Sequence, residues 1–134
     1  MQPNPPEKNI VAILVTEPRE AEDIVRIIET GPYRTIVCRS LSALKNLVSD
    51  AWMAVILDVD SIPLDNRTIR NLTLTFPAVS FFCTSRERFH PELKDAICYH
   101  LFACLNKPIN ADELHYLLKC VRDEETDPGI PPGG

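Results

Sequence analysis

The stretch Ala54-Val55-Ile56-Leu57-Asp58 decides the fold, because a run of apolar residues ends there on a carboxylate. A continuous apolar run of this length is typical of a parallel strand that is covered on both faces. A second apolar run, 101–105, is followed by Lys107 and Pro108. The carboxyl ends of parallel strands meet at one rim of an open α/β sheet, where such folds place their chemistry. We therefore expect Asp58 and Lys107 to lie close together at that rim.

The rest of the chain alternates between strand and helix patterns. Apolar or alternating segments predict strands over 10–15, 33–39, 52–58, 79–83 and 101–105. Apolar residues at helical spacing predict helices over 20–29, 41–48, 65–75, 91–99 and 111–121. Ser40 and Asn110 are the predicted caps of the second and last helices, and Glu113 completes a capping box with Asn110.

This alternation predicts an α/β fold, a doubly wound five-stranded parallel sheet between two helical layers. The flavodoxin-like order 2-1-3-4-5 fits five units best, and it places the loops after the first and third strands beside the topological switch point. Thr16, Glu17 and Asp58 lie in those loops. We expect one folded domain over 8–122, a disordered N-terminus over 1–7, and a disordered acidic, Pro- and Gly-rich tail or linker over 123–134.

Composition argues against several classes of function. The chain has 134 residues and a formal net charge of -5, which argues against direct nucleic-acid binding by this segment. No apolar run reaches the length of a membrane span, and the polar, Pro-rich residues 1–6 do not form a signal peptide, so we expect a cytoplasmic protein without a membrane partner. The five cysteines are odd in number and lack C-x-x-C spacing, which predicts free, reduced thiols and no structural zinc.

Three strand ends carry a resemblance to a known family. Asp58 follows the third predicted strand, Thr84 and Ser85 follow the fourth, and Lys107-Pro108 follows the fifth. With these motifs, residues 8–122 resemble the receiver domain of two-component response regulators, which has the CheY-like fold. The resemblance implies that Asp58 accepts a phosphoryl group from a histidine kinase or phosphotransfer protein. It further implies that Lys107 and Thr84 contact the phosphoryl oxygens.

The resemblance also implies a cofactor, partners and an output. Mg²⁺ would be held by Glu17, by Asp58 and by the backbone carbonyl of Asp60, and the Lys107–Pro108 peptide bond would be cis. The domain would not be an enzyme beyond self-phosphorylation and self-dephosphorylation at Asp58. A change on the face from the fourth strand to the last helix would signal to an effector absent from this chain, such as a transcription regulator, or to a second copy in a homodimer.

Several positions depart from the family pattern. The family usually has two adjacent acids after the first strand, whereas Thr16-Glu17 supplies one and the alternative register Val15-Thr16 supplies none. We therefore expect weakened Mg²⁺ binding. Pro63 comes five residues after Asp58 instead of four. Cys104 stands where the family has a signalling aromatic, and we expect the nearby Phe102 to serve the core.

These departures leave a second hypothesis open, a pseudo-receiver that acts as a phosphorylation-independent interaction or dimerisation module. Asp58 would then be a structural acid, Lys107 its salt-bridge partner, Glu17 a helix-terminus acid and Thr84 a strand-end hydroxyl. Both hypotheses predict that Asp58 and Lys107 are close, so proximity alone does not separate them. A flavin enzyme of the same fold is less well supported, because the acidic loop 16–20 would repel a phosphate group.

Overall fold

The sheet has the predicted topology. A computed structural model describes residues 9–49, 51–86 and 101–126, with side chains as far as Asp123. Its five strands are β1 (Ile10–Leu14), β2 (Arg34–Cys38), β3 (Ala54–Asp58), β4 (Ser80–Ser85) and β5 (Ala103–Asn106). All paired strands are parallel, and their order is β2-β1-β3-β4-β5. The predicted order is therefore confirmed.

Four helices are described: α1 (Pro18–Glu29), α2 (Leu41–Leu47), α3 (Asn66–Thr75) and α4 (Ala111–Thr126). The helix predicted over 91–99 lies outside the described residues. The predicted caps Ser40 and Asn110 are present, and Asp65, predicted as the first residue of α3, is its cap. Ser40 accepts from the Ala43 amide, Asp65 from the Thr68 amide and Asn110 from the Glu113 amide. These bonds satisfy amides that have no partner within the first turn of a helix.

The helices cover both faces of the sheet. One apolar cluster joins α1 and α4 to the sheet through Ile24, Ile28, Leu114 and Leu118. The other cluster joins α2 and α3 to the opposite face through Leu44, Ile69 and Leu72. β3 is buried along its whole length, as its apolar sequence predicted. The predicted three-layer sandwich is therefore confirmed.

A polar contact fastens α4 to the carboxyl end of α1. The His115 ring nitrogen Nε2 lies 2.6 Å from the Ile27 carbonyl oxygen and 2.9 Å from Thr30 Oγ1. The same ring stacks on Tyr33, with the ring centres 6.2 Å apart. The Thr30 hydroxyl donates to the same Ile27 carbonyl at 2.7 Å, so His115 joins a polar cluster at the carboxyl end of α1.

Most predicted boundaries move by one or two residues, and the ends of α4 and α2 change the interpretation. α4 continues to Thr126, so helix occupies the first four residues of the predicted tail. Glu is a good helix former, and this favours continuation through the acidic segment. α2 ends at Leu47, one residue before its predicted end, and that side chain is 55% exposed.

Candidate functional site

Three strand ends bring Asp58, Thr84 and Lys107 together. Asp58 pairs with Thr84 in register, and Ser85 pairs with Asn106, so Lys107 follows β5 at the same rim. Asp58 is fully buried and Thr84 is 1% exposed. The Lys107 ammonium lies 2.8 Å from Asp58 Oδ1, and the Thr84 hydroxyl donates to the same oxygen at 3.3 Å. The Lys107–Pro108 peptide bond is cis, as the resemblance implied.

The two oxygens of Asp58 have different surroundings. Oδ1 accepts from Lys107, from Thr84 and from the Asp60 amide at 3.3 Å. Oδ2 accepts from the Ser61 hydroxyl at 2.5 Å. Burial by itself raises the pKa of Asp58, but hydrogen bonds from Lys107 and Ser61, together with the Lys107 charge, hold that pKa below its usual value. Asp58 is therefore a buried carboxylate that its donors keep ionised.

Lys107 contacts three carboxylates rather than one. Its ammonium lies 2.8 Å from Asp58, 3.0 Å from Glu20 and 3.1 Å from Asp60. Its side chain is 11% exposed. Burial lowers the pKa of Lys107, but hydrogen bonds to the three acids outweigh burial and hold it above its usual value. Lys107 is thus the central cation of this rim.

Arg86 extends the network at the end of β4. Its guanidinium lies 2.9 Å from Glu20 Oε1, and its backbone amide donates to Asp60 Oδ2 at 2.8 Å. The Arg86 side chain is 72% exposed, so solvent screens its charge. Three carboxylates therefore face one shielded cation and one exposed cation. We call Glu20, Asp58, Asp60, Arg86 and Lys107 the rim network.

The structure places Glu17, a predicted metal ligand, at the start of α1 and outside the rim network. Pro18 occupies the first helical position of α1, a place that proline favours, so Glu17 becomes the N-cap. The exposed Glu17 carboxylate accepts from the Glu20 amide at 2.8 Å. Glu20, two residues into the helix from Pro18, is the acid that α1 directs to Lys107. The signal for this arrangement was Pro18, because it fixes where the helix begins.

Sequence reasoning missed further members of the site. Asp60 was predicted to act through its backbone carbonyl, yet its side chain contacts Lys107 and the Arg86 amide. Ser61 and Arg86 were not predicted at all. Ser61 lies three residues after Asp58, a spacing at which a serine hydroxyl can reach back to a carboxylate in a tight turn.

The site contains oxygen donors of the kind that Mg²⁺ prefers, but in this arrangement Lys107 lies among them. Glu20, Asp58 and Asp60 all direct a carboxylate oxygen to the Lys107 ammonium. Within the part of the chain that the structure describes, no group of three or more His, Cys, Asp or Glu residues is placed to hold a metal. A dication would have to compete with Lys107 for the same oxygens.

A cleft of about 620 Å³ lies beside Lys107, between α1 and the segment that leads into α4. Ile24, Ile27 and Ile109 supply apolar parts of its lining, and Glu20 and Lys107 join it to the rim network. The cleft is therefore continuous with the rim network at Glu20 and Lys107.

Known proteins resemble this chain in fold but not detectably in sequence. No family model matches the chain, and no curated protein matches it in sequence. Among the described helices, none is long and apolar enough to cross a membrane. Solved structures do match. The signal receiver domain of an HD domain-containing protein from Pseudomonas fluorescens has a TM-score of 0.78 and 14% identity, over 95% of this chain and 96% of that one.

Two further structures show the range of proteins with this fold. One is the receiver domain of a sensor histidine kinase from Pseudomonas aeruginosa, with magnesium coordinated in its active-site cleft (TM-score 0.71, 14% identity, 86% of this chain and 98% of that one). The other is a Burkholderia pseudomallei protein named for pilus assembly (TM-score 0.71, 16% identity, 88% of this chain and 92% of that one). The chain therefore has the CheY-like fold of response regulator receiver domains.

Proposed function

We propose that this chain is a receiver domain that accepts a phosphoryl group on Asp58 in two-component signal transduction. The observation that carries the proposal is the contact of one Asp58 oxygen with both Lys107 and Thr84 at the rim. An acceptor carboxylate needs a cation and a hydroxyl that can bind the phosphoryl oxygens as charge develops on them. Lys107 and Thr84 supply these two groups from neighbouring strands.

The surroundings of the two oxygens favour Oδ2 as the nucleophile. Oδ1 accepts from three donors, whereas Oδ2 accepts from the Ser61 hydroxyl. A carboxylate has about four lone-pair sites, so Oδ2 keeps a lone pair for attack. Oδ2 would form a bond to phosphorus as the bond from phosphorus to the donor nitrogen or oxygen breaks. The Lys107 ammonium would then move from the Asp58 carboxylate to the negatively charged phosphoryl oxygens.

The partners follow from this reaction. A histidine kinase or phosphotransfer protein would dock along the cleft beside α1, which leads directly to Lys107. The signal would pass through β4, β5 and α4 to an effector outside this chain, such as a transcription regulator, or to a second copy in a homodimer. We propose a cytoplasmic location, where the kinase would find ATP. The negative net charge supports a protein partner rather than direct contact with nucleic acid.

We infer that Mg²⁺ binds only weakly in the wild-type protein. The ion must displace an ammonium that three carboxylates already hold within 3.1 Å. Glu20, Asp58 and Asp60 are the acids that would hold it, and Glu17 is not among them.

Intact-mass spectrometry after incubation with acetyl phosphate tests the proposal, with and without Mg²⁺. We expect one added phosphoryl group in the wild type and none in Asp58→Asn. Ser61→Ala is a matched variant, because it removes the donor on Oδ2 and leaves Lys107 and Thr84 in place. A folded protein that takes up no phosphoryl group under either condition would contradict the proposal. Folding is checked by circular dichroism and by the fluorescence of the buried Trp52.

The second candidate is a pseudo-receiver that binds partners without phosphorylation. The observation in its favour is that Lys107 bonds to Glu20 and Asp60 as well as Asp58, which leaves the ammonium less available to a phosphoryl group. The fold also occurs in a protein named for pilus assembly, so it is not confined to proteins named for phosphorelay signalling. This candidate predicts equal partner binding by the wild type and by Asp58→Asn in a pull-down.

A further inference from the structure

Two cysteines lie opposite each other on neighbouring strands near the rim. Cys83 of β4 and Cys104 of β5 are register partners in a parallel pair. Both thiols are free, Cys83 is fully buried, and Cys104 is exposed. Neighbouring strands run about 4.8 Å apart. That spacing lies within the roughly 4.4–6.8 Å range of Cα separations that a disulfide spans.

The two side chains project from the same face of the sheet. Leu105 and the partly buried Ala103 pack in the cluster of α1 and α4, so Cys104 between them points to the opposite face. Cys83 is the register partner of Leu57, which packs in the cluster of α2 and α3. Residues that are paired in register across parallel strands share a face, so the two sulfurs are neighbours.

We propose that Cys83 and Cys104 form a reversible dithiol–disulfide pair that a hydroperoxide oxidises. Exposed Cys104 is the thiol that peroxide reaches, and buried Cys83 is the thiol that resolves it. A hydrogen bond between the two thiols, with burial, raises the pKa of Cys83. The same bond lowers the pKa of Cys104, which favours thiolate at the exposed sulfur. The proposal does not depend on phosphoryl transfer at Asp58.

The chemistry balances with hydrogen peroxide as the oxidant. The Cys104 thiolate attacks one peroxide oxygen, the O–O bond breaks, and Cys104 becomes a sulfenic acid as hydroxide leaves and takes up a proton. The Cys83 sulfur then attacks the Cys104 sulfur, the S–O bond breaks, and water leaves with the Cys83 proton. Two thiols lose two electrons and two protons, and the peroxide becomes two molecules of water.

The position of the pair gives the disulfide a consequence for the site. Cys83 directly precedes Thr84, whose hydroxyl bonds to Asp58. Cys104 lies three residues before Lys107, at the position where receiver domains usually have a signalling aromatic residue. A bond between the sulfurs would restrain β4 against β5 immediately before the two strand ends that hold Asp58.

Peptide mapping of the full chain tests the proposal. Trypsin releases Cys83 in the fragment 71–86 and Cys104 in the fragment 95–119, which also contains Cys98. The experiment therefore uses a Cys98→Ser background. After hydrogen peroxide treatment and alkylation of the remaining thiols, we expect the two fragments to be joined, with the loss of two hydrogen atoms, and to separate on treatment with dithiothreitol.

Two variants keep the test independent of folding defects. Cys104→Ser changes an exposed residue and should abolish the joined fragments. Cys83→Ala should leave Cys104 as a sulfenic acid that dimedone traps. The proposal is overturned if both thiols remain alkylatable after peroxide, if Cys104 of one chain bonds to Cys104 of another, or if Cys83→Ala yields no dimedone adduct.

Discussion

Replacing Lys107 by methionine should destabilise the protein strongly at neutral pH. Methionine keeps most of the apolar stem and removes the charge from a side chain that is 11% exposed. The fully buried Asp58 then loses its nearest cation. Breaking a buried ion pair by removing one partner typically costs about 3–5 kcal/mol. Ser61, Thr84 and the Asp60 amide still donate to Asp58, which places the expected loss toward the lower part of that range.

Protonation limits this cost and gives it a pH dependence. Asp58 can take up a proton instead of remaining an uncompensated charge, and from an unfolded pKa of about 3.9 this costs roughly 4 kcal/mol at pH 7 and roughly 1.5 kcal/mol at pH 5. The free energy of unfolding of Lys107→Met should therefore fall by about 3–4 kcal/mol at pH 7, and the deficit should shrink toward pH 5. In the wild type the pKa of Asp58 is lowered, so its contribution persists down to about pH 4 and is lost as pH falls further.

Urea unfolding, monitored by Trp52 fluorescence with a chelator present, measures the loss of unfolding free energy in Lys107→Met. Repeating it at pH 7 and pH 5 measures how that loss changes with pH. Arg26→Met is the matched control, because it removes a cation from an ion pair with Asp23 in which both side chains are largely exposed. Such pairs contribute about 0–1 kcal/mol. A Lys107→Met loss no larger than that of Arg26→Met, or one that does not change between the two pH values, would refute our account of the rim network.

Three further outcomes are expected. Ser61→Ala should lower the free energy of unfolding by about 1.5–3 kcal/mol, because it removes a hydrogen bond to a buried carboxylate; in the same urea titration Ser49→Ala, which loses a bond to an exposed amide, should cost less. Glu17→Ala should cost about 1 kcal/mol through loss of the α1 cap and leave Mg²⁺ affinity unchanged, whereas Glu20→Gln should weaken that affinity; calorimetry that assigns the metal effect to Glu17 would instead support its predicted role as a ligand. Mg²⁺ should raise the melting temperature of Lys107→Met more than that of the wild type, because the dication no longer competes with an ammonium, and equal shifts would count against that competition.

The fold was predictable because its strongest signals are local. β1 and β3 are continuous apolar runs, and each is buried on both faces. The caps Ser40 and Asn110 mark two helix starts, and both bonds are present. Leu47 is 55% exposed despite its apolar side chain, because α2 ends at that residue and leaves no further turn to hold it against the sheet.

The candidate site was predictable only where topology fixes it. Asp58, Thr84 and Lys107 stand at strand ends, and the order of a parallel sheet alone brings strand ends to one rim. Which acid of α1 reaches Lys107 depends on where the helix begins; with Pro18 as the first helical residue, Glu17 is the N-cap and Glu20 contacts Lys107. The Asp60 side chain depends on the conformation of a turn, which a single sequence does not specify.

The charges of the rim network show what separates the two candidate functions. Phosphorylation would replace the single charge of Asp58 by about two negative charges at neutral pH. Lys107 would be drawn toward the phosphoryl group, which would leave Glu20 and Asp60 to Arg86 or to a bound dication. If Arg86 can pair with both Glu20 and Asp60, phosphorylation of Asp58 would alter the contacts of Arg86 at the end of β4 and of Glu20 at the start of α1. If Arg86 cannot pair with both acids, repulsion among the carboxylates would oppose phosphorylation and favour the pseudo-receiver. The wild type would then take up no phosphoryl group, and Arg86→Ala would not change that result.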